Sequence, residues 1–494
     1  MKDLNVETIL INSGCRETRA AILVDGVLED YIVEQEASRG LSGNIYLGKV
    51  VRVLPGMQSA FVNIGLERTA YLHVSMVRQE DPAHPKPIEE VLHEGSVIIV
   101  QVIKDPVGTK GARLSMLVSL PGRTLVYLPY EDHIGISQRI DDEERREALR
   151  ERITQLREPT DKGGYIVRTS VSEAPEDYPF DVDMAYLRRQ WEHIRETARV
   201  SKVPSCLYEE LSLGKRLLRD RVTENTQAVW VDNKPAMMAL VAFAQTYLPG
   251  LEERIRFYKG FATLFEQYGI ERDVEHVLQR NVALKSGGYL VIDQTEAMTT
   301  IDVNTGAYVG RKDFADTVYQ TNLEATEVIA RQMRLRNLGG MIIVDFIDMH
   351  NDSHKADVLE SLRKAVSLDR NMVTVSGFSE LGLVEMTRKR TRDSLNHVLC
   401  EPCPLCQGRG TIMTVRTVAY AILREVLREN RRQKTVEAFR VRAHALVVHL
   451  LEHEEKEALD LLMESIEKRI ILEINPDATQ ESYEISSYSG PLTQ

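Results

Sequence analysis

Apolar and polar residues run along this chain in two rhythms, a period of two in short stretches and a helical period in longer ones. The clearest passage begins at Gly287-Gly288, which opens the apolar run Tyr289–Ile292, predicted to be a buried strand. Gln294 to Ala297 would turn the chain, and Met298 to Val303 would form the second strand of a hairpin. From Thr317 to Leu338 apolar residues recur at helical spacing (Val318, Ala325, Val328, Ile329, Met333, Leu335), and Gly339-Gly340 predicts a left-handed C-cap. Met341 to Val344 is a third apolar strand. The second strand ends in Asp302 and the third in Asp345.

A crossover helix of that length sets the two strands side by side and parallel. Asp302 and Asp345 would then be neighbours, two like charges that repel unless a cation lies between them. Mg²⁺ suits that arrangement, because it takes one or two carboxylates and leaves positions for water and phosphate; Mn²⁺ is the alternative. Asn304, two residues beyond Asp302, offers a carboxamide to orient a water or a phosphate oxygen. Singly, each Asp is more often a cap at the end of a strand. The pair with Asn304 favours metal binding.

Elsewhere, Met1 to Glu36 alternates as two or three short strands with a turn at Asp25-Gly26. Ser42 to Leu120 gives about five strands punctuated by Gly, Pro and Asp, the spacing of a small all-β barrel. Phe61, Tyr71 and His73 fall on its strands, with Lys49, Arg52, Lys110 and Arg113 close by. Aromatic faces beside positive charge make a stacking platform for single-stranded nucleic acid, although strand aromatics are more often core. Next come an acidic helix over Asp141–Leu156 and a strand, GGYIVRTS, ending in Arg168 and Thr169. SVSEAPEDYPFD then reads as a surface loop. Helices are predicted in MAYLRRQWEHIRETA, LYEELSLGKRLLRDRV, VAFAQTYLP and ERDVEHVLQRNVAL, with a strand at Val229–Val231 and a loop from Tyr258 to Ile270. The last stretch, Thr411 to Gln494, reads as a small α+β domain.

At 494 residues, 43% hydrophobic and 28% charged, the chain has the composition of a multidomain globular protein. No apolar run approaches membrane-span length and the N-terminus lacks a signal peptide's hydrophobic region, so the expected compartment is the cytoplasm. The net charge of −12 argues at first against a nucleic-acid ligand, yet RLRN and TRKRTR are basic strips within the acidic whole. Three of the five cysteines crowd into CEPCPLC. Cys-x-x-Cys followed by Gly is half of a tetrahedral thiolate zinc site, and Cys15 and Cys206 are too isolated to supply the other half. Two chains giving two thiolates each would complete the shell. A redox Cys-x-x-Cys is disfavoured by the knuckle that Pro404 and Gly408 make, and no thioredoxin-like unit is expected around it.

TTIDVNTGAYVG, RLRNLGGMIIVDFIDM and LVEMTRKRTR resemble the catalytic core of the ribonuclease E/G family, and the likeness runs over nearly the whole chain. GxVxxVxPGMxxAFVxIG is similar to an S1 RNA-binding domain. The resemblance implies an α+β multidomain fold. An RNase H-like subdomain (1–38 and 211–281) is interrupted by an S1 barrel (39–120) and a 5′-sensor (121–210). A DNase I-like catalytic subdomain (282–399), a zinc link (400–412) and a small C-terminal domain (413–494) follow. It places metal-binding catalytic aspartates at Asp302 and Asp345, with the catalytic asparagine at Asn304. RNA contacts are expected at Phe61, Tyr71 and Lys110. The contacts to a 5′-phosphate fall on Arg168 and Thr169, supported by Gly122 and Val126. The zinc ligands fall on Cys403 and Cys406, which join two protomers, with Cys400 an additional thiol.

The activity implied is a Mg²⁺-dependent endoribonuclease that leaves 5′-phosphate and 3′-hydroxyl ends. Its expected substrates are single-stranded, A/U-rich sites in rRNA precursors and mRNA. The expected assembly is a homodimer or a tetramer. The family's long C-terminal scaffold arm has no counterpart in the sequence. A non-catalytic RNA-binding factor using the barrel alone remains the rival reading, and paired carboxylates beside RNA speak against it.

Overall fold

Residues 6–79, 81, 84–106, 110–140, 142–158, 160–171, 178–248, 250–306, 314–433 and 435–488 are described by a computed structural model, with only the backbone described at 38 and 314. Half of the predicted acidic loop, 172–177, and the last residues of TTIDVNTGAYVG, 307–310, lie outside them. The chain forms two compact units, Met1–Val398 and Leu399–Gln494.

Among the described residues, four sheets build the first unit. The N-terminal strands Glu7–Ser13, Glu17–Val24 and Val27–Gln35 form a meander, and the first of them pairs in parallel with Thr226–Val231, followed by Ile255–Phe257. So short an opening segment cannot close a core alone; its buried Ile9, Ile11 and Ile22 pack with Leu217, Val229, Leu240 and Phe243 from two hundred residues later. The predicted turn is present, with Asp25 (φ 50°) and Gly26 (φ 79°) both left-handed, as a two-residue hairpin requires.

The barrel strands Ile45–Leu54, Ser59–Asn63, Ala70–His73, Val97–Lys104 and Arg113–Ser115 close on themselves, because Ile45–Leu54 pairs with both Ser59–Asn63 and Val97–Lys104. A further strand, Ser205–Tyr208, adds to its edge. Its last two residues overlap the stretch from Leu207 expected to be helical; the helix begins only at Leu213 and ends at Asp220. A third sheet orders Ile134–Ile136, Gly164–Val167, Leu125–Leu128 and Leu120–Pro121. The helices Glu143–Leu156 and Phe180–Val200 cover it through Leu149, Ile153, Met184, Leu187 and Trp191. The stretch expected as loop at Tyr258–Ile270 contains a short helix, Leu264–Gln267, started by a capping box at Thr263.

The fourth sheet runs Asn281–Ala283, Tyr289–Gln294, Met298–Asn304, Gly340–Asp345, Leu383–Arg388 and Val373–Phe378. Met298–Asn304 and Gly340–Asp345 are parallel, joined by the helix Phe314–Leu335, and their apolar residues Ile301, Val303, Ile342 and Val344 are buried with Ile329, Met333 and Leu362. The helix ends differently from expectation. Asn337 (φ 48°) takes the left-handed position, with Leu338 N–H on the Met333 carbonyl at 3.0 Å and Asn337 N–H on Arg334 at 3.1 Å, a Schellman closure. Gly339 and Gly340 serve instead to admit Arg390, whose side chain a Cβ at either position would meet within 3.0 Å.

In the second unit, Ala438–Ala443 lies between parallel Arg469–Ile474 and antiparallel Tyr483–Tyr488, packed by the helices Val415–Arg432, Ala445–Glu452 and Lys456–Ile466. Among the described residues no helix is long and apolar enough to cross a membrane.

Candidate active site

Parallel pairing puts Asp302 directly beside Asp345 at the mouths of adjacent strands, both side chains exposed. Asn304 Nδ2 donates to Asp302 Oδ2 at 2.8 Å. Partial burial, then the charge of Asp302, then that of Asp348, push the Asp345 carboxyl above its usual range. A divalent cation between the two carboxylates would offset that repulsion. Among the described residues no cluster of three or more His, Cys, Asp or Glu is arranged to hold a metal. Two adjacent carboxylates are a donor set that fits Mg²⁺, which takes one or two carboxylates and otherwise water or phosphate.

Asp348 and Asn322, which sequence reasoning passed over, shape this mouth, together with Gly288, expected only to open the strand. Asp348 is the third carboxylate felt by Asp345. Asn322, wholly buried on the crossover helix, holds the turn after Asp345: its Nδ2 donates to the Ile347 carbonyl at 2.8 Å and its Oδ1 accepts from Ile347 N–H at 3.1 Å. Gly288 lets the hairpin close over Asn304, since a Cβ there would come within 2.6 Å of the Asn304 carbonyl. A polar residue inside an otherwise apolar helical stripe was the available signal for Asn322.

On the barrel, Phe61 pairs with Tyr71 across neighbouring strands, their rings edge to face at 6.2 Å. Both are half-buried and point away from the buried cluster of Val50, Ala60, Val62, Leu72 and Val100. Arg52 stands opposite Phe61, and Arg113 opposite Tyr71. Lys110 is exposed just ahead of Ala112, whose carbonyl accepts from Tyr71 N–H at 2.8 Å. His73 does not join the aromatic pair in the same way: it is exposed and its Nδ1 caps the turn at Ser75.

Gly122, Val126, Arg168 and Thr169 gather around one small sheet. Val126 pairs with Ile166, and Arg168 follows the strand Gly164–Val167. Arg168 Nη1 donates to the Gly122 carbonyl and to Asp220 Oδ1 (2.7 Å), which leaves Nη2 and Nε without a partner among the described residues. Thr169 Oγ1 meets Ser137 Oγ at 3.0 Å. Burial alone would raise the Asp220 carboxyl, yet Arg219 and then Arg168 hold it below its usual range. Gly122 has no room for a side chain, because a Cβ would lie 2.5 Å from Asp183 Oδ1.

Three arginines of the basic strips are tied into the fold. Arg388 is 5% exposed, with Nε on Asp369 Oδ2 at 2.8 Å and Nη1 on Asn337 Oδ1 at 3.0 Å; Arg334 pairs with Glu29, and buried Arg336 binds the Gln279 carbonyl at 2.7 Å.

In the second unit Cys403 and Cys406 share a knuckle: Gln407 N–H donates to the Cys403 carbonyl at 2.7 Å, and Gln407, Gly408 and Gly410 all have positive φ. Backbone N–H groups of Gly410 and Gly408 draw the Cys406 thiol below its usual range, with Cys403 beside it. Two neighbouring cysteine sulfurs, with backbone donors behind Cys406, suit half of a zinc shell. Cys400 is exposed.

Comparison with known proteins identifies the family. The Ribonuclease E/G family matches residues 119–391, and the RNase E/G thioredoxin-like domain matches 402–488. The second match corrects the expectation that no thioredoxin-like unit lies near the cysteines. Cys406 nonetheless lies nine residues before the helix that starts at Val415, so the pair does not cap that helix. Ribonuclease G of Escherichia coli (strain K12) is 44% identical over 486 residues, covering 97% of this chain and 99% of that protein. Ribonuclease G of Haemophilus influenzae is 44% identical over 491 residues, covering 97% and 98%. Ribonuclease E of Escherichia coli is 36% identical over 452 residues, covering 90% of this chain but only 42% of that longer protein. Matched over 97% of its length by the ribonuclease G relatives, the chain belongs to the ribonuclease E/G family and is most like its ribonuclease G members.

Proposed function

We propose that this endoribonuclease is Mg²⁺-dependent and cuts single-stranded, A/U-rich RNA in rRNA maturation and mRNA decay, leaving 5′-phosphate and 3′-hydroxyl ends. The observation that carries the reading is the register that sets Asp302 against Asp345. Asp302 and Asp345 would hold the ion, Mn²⁺ serving as a substitute. Bound there, it would lower the pKa of a coordinated water and offset charge on the scissile phosphate. Asn304 fixes Asp302 with one N–H and keeps its second N–H and its carbonyl for the attacking water or a phosphate oxygen. The exposed mouth admits a strand from solvent.

The remaining assignments follow the same reading. Sheet 7–35 with 226–257 is the RNase H-like subdomain, the closed barrel an S1 domain, the sheet around Arg168 the 5′-sensor, and the sheet 281–388 the DNase I-like subdomain. Phe61 and Tyr71 stack bases with Lys110 at the edge. Arg168 and Thr169 hold a 5′-monophosphate. Cys403 and Cys406 of two chains share one Zn²⁺ in a homodimer, or in a tetramer of such pairs, in the cytoplasm. The test is to incubate the protein with single-stranded RNA, with and without Mg²⁺, and to read the product ends. Mg²⁺-dependent products with 5′-phosphate and 3′-hydroxyl are expected; 5′-hydroxyl or cyclic-phosphate ends would overturn the mechanism.

A further inference from the structure

A chain with a formal net charge of −12 has to concentrate positive charge somewhere if it is to hold a polyanion. A cleft of about 1310 Å³ opens in the first unit between Val27–Gln35, the helix Leu213–Asp220, the barrel edge at Lys104, and the segments Leu368–Asn371 and Arg388–Val398. Ten Lys and Arg side chains line it against six carboxylates, the reverse of the balance of the whole chain.

The local pairing leaves that charge only partly compensated. Asp30 alone serves both Arg221 and Arg392, the latter at 3.1 Å. Arg370 and Arg390 donate to backbone carbonyls and to no carboxylate among the described residues: Arg370 to Asp220 and Arg221, Arg390 to Gly339 at 2.9 Å. Arg334 Nη1 is buried without a hydrogen-bond partner among the described residues. Burial, and then the charges of Arg370 and Arg392, push the Arg221 guanidinium down to about 9. Burial followed by Arg388 and Arg216 takes Arg392 to about 10. Desolvated guanidinia repelling one another is the condition that an anion relieves.

The cleft is separate from the paired carboxylates. Asp345 pairs with Leu383, whereas Arg388, which lines the cleft, pairs with Gly340 at the far end of the same strand. Five residues at ~3.4 Å each put about 17 Å between these positions. Arg168 also lines the cleft. We infer that this cleft carries the phosphodiester backbone of single-stranded RNA, with Lys104, Arg221, Arg390 and Arg392 taking successive phosphates next to the one at Arg168. The inference rests on the ribonuclease reading and adds a second anchoring surface to it.

The experiment measures binding of a single-stranded oligoribonucleotide by fluorescence anisotropy in metal-free buffer over a range of salt. Removing one cation that neutralises a phosphate lowers the slope of log K against log salt by ~0.7 for a single strand. Lys104→Gln should lower it by about that amount, and Lys104→Gln with Arg390→Gln by about 1.4. Replacing Arg390 by Lys in place of Gln should restore part of the loss. Arg152→Gln with Arg428→Gln, on exposed helix faces outside the cleft, should leave the slope at the wild-type value. Circular dichroism confirms that each variant is folded. Cleft variants with the wild-type slope would overturn the cleft assignment alone. A wild-type protein that binds no RNA would overturn the ribonuclease reading with it.

Discussion

Asp345 holds its proton more tightly in the folded chain than an ordinary carboxyl, through partial burial and then through Asp302 and Asp348. A raised folded-state pKa means a contribution to stability that is present below the unfolded value, ~3.9, and lost as pH rises through the folded one. Asp345→Asn should therefore melt at or slightly above the wild-type temperature at neutral pH without metal, and the advantage should vanish in acid. Calorimetry at the two pH values checks this. Added Mg²⁺ should raise the wild-type melting temperature and leave the variant's unmoved. Asn322 belongs to the same scale. Asn322→Leu strands the Ile347 N–H and carbonyl, at roughly 1–3 kcal/mol per unsatisfied group, and frees the turn that carries Asp348. Lower stability in urea together with a lower kcat is expected. Unchanged kcat would show that the clamp has no part in the site.

Elements differed in how far the sequence disclosed them. The hairpin, crossover helix and third strand were legible because each is set by its own local period, and Asp302 and Asp345 came with them. Asn337 took the helix cap expected of glycine because the Gly pair is needed where Arg390 approaches. The strand Ser205–Tyr208 was hidden because its stability comes from the barrel edge, some 160 residues earlier in the chain. The burial of Arg388 was not legible in the basic strip TRKRTR, because composition does not reveal that Asp369 pairs with it inside. Breaking that buried pair should cost about 3–5 kcal/mol in Arg388→Met, while Arg388→Met with Asp369→Leu should recover much of it. Urea denaturation of both variants decides the point. The Arg168 strand carries a further prediction. Charge-assisted bonds contribute roughly 1.5–3 kcal/mol each, so the wild type should cut a 5′-monophosphorylated RNA at least about tenfold faster than its 5′-hydroxyl or 5′-triphosphate forms. Arg168→Gln should cut all three at similar slow rates. If it slows the hydroxyl form as much as the monophosphate, Arg168 is a general RNA-binding or a fold residue.

At the scale of the molecule, the first unit brings the proposed catalytic mouth, stacking face and 5′-end site into one body, and the second presents the cysteine knuckle. Each chain offers two neighbouring cysteine sulfurs, so elemental analysis should find one Zn²⁺ per two chains, and Cys403→Ser with Cys406→Ser should lose the zinc and shift dimer to monomer. One zinc per chain, or a dimer indifferent to chelator, would contradict a shared site; equal behaviour of Cys400→Ser would show that the ligand pair was misassigned. The central claim is that cleavage depends on the two carboxylates while RNA binding rests on other surfaces. It is tested most directly by measuring, on one 5′-monophosphorylated RNA with Mg²⁺ present, both cleavage rate and binding affinity for the wild type and for Asp302→Asn with Asp345→Asn. Losing several kcal/mol of transition-state stabilisation corresponds to a rate lower by roughly a thousandfold or more, with affinity nearly unchanged. Substantial cleavage by the doubly substituted protein would contradict the account.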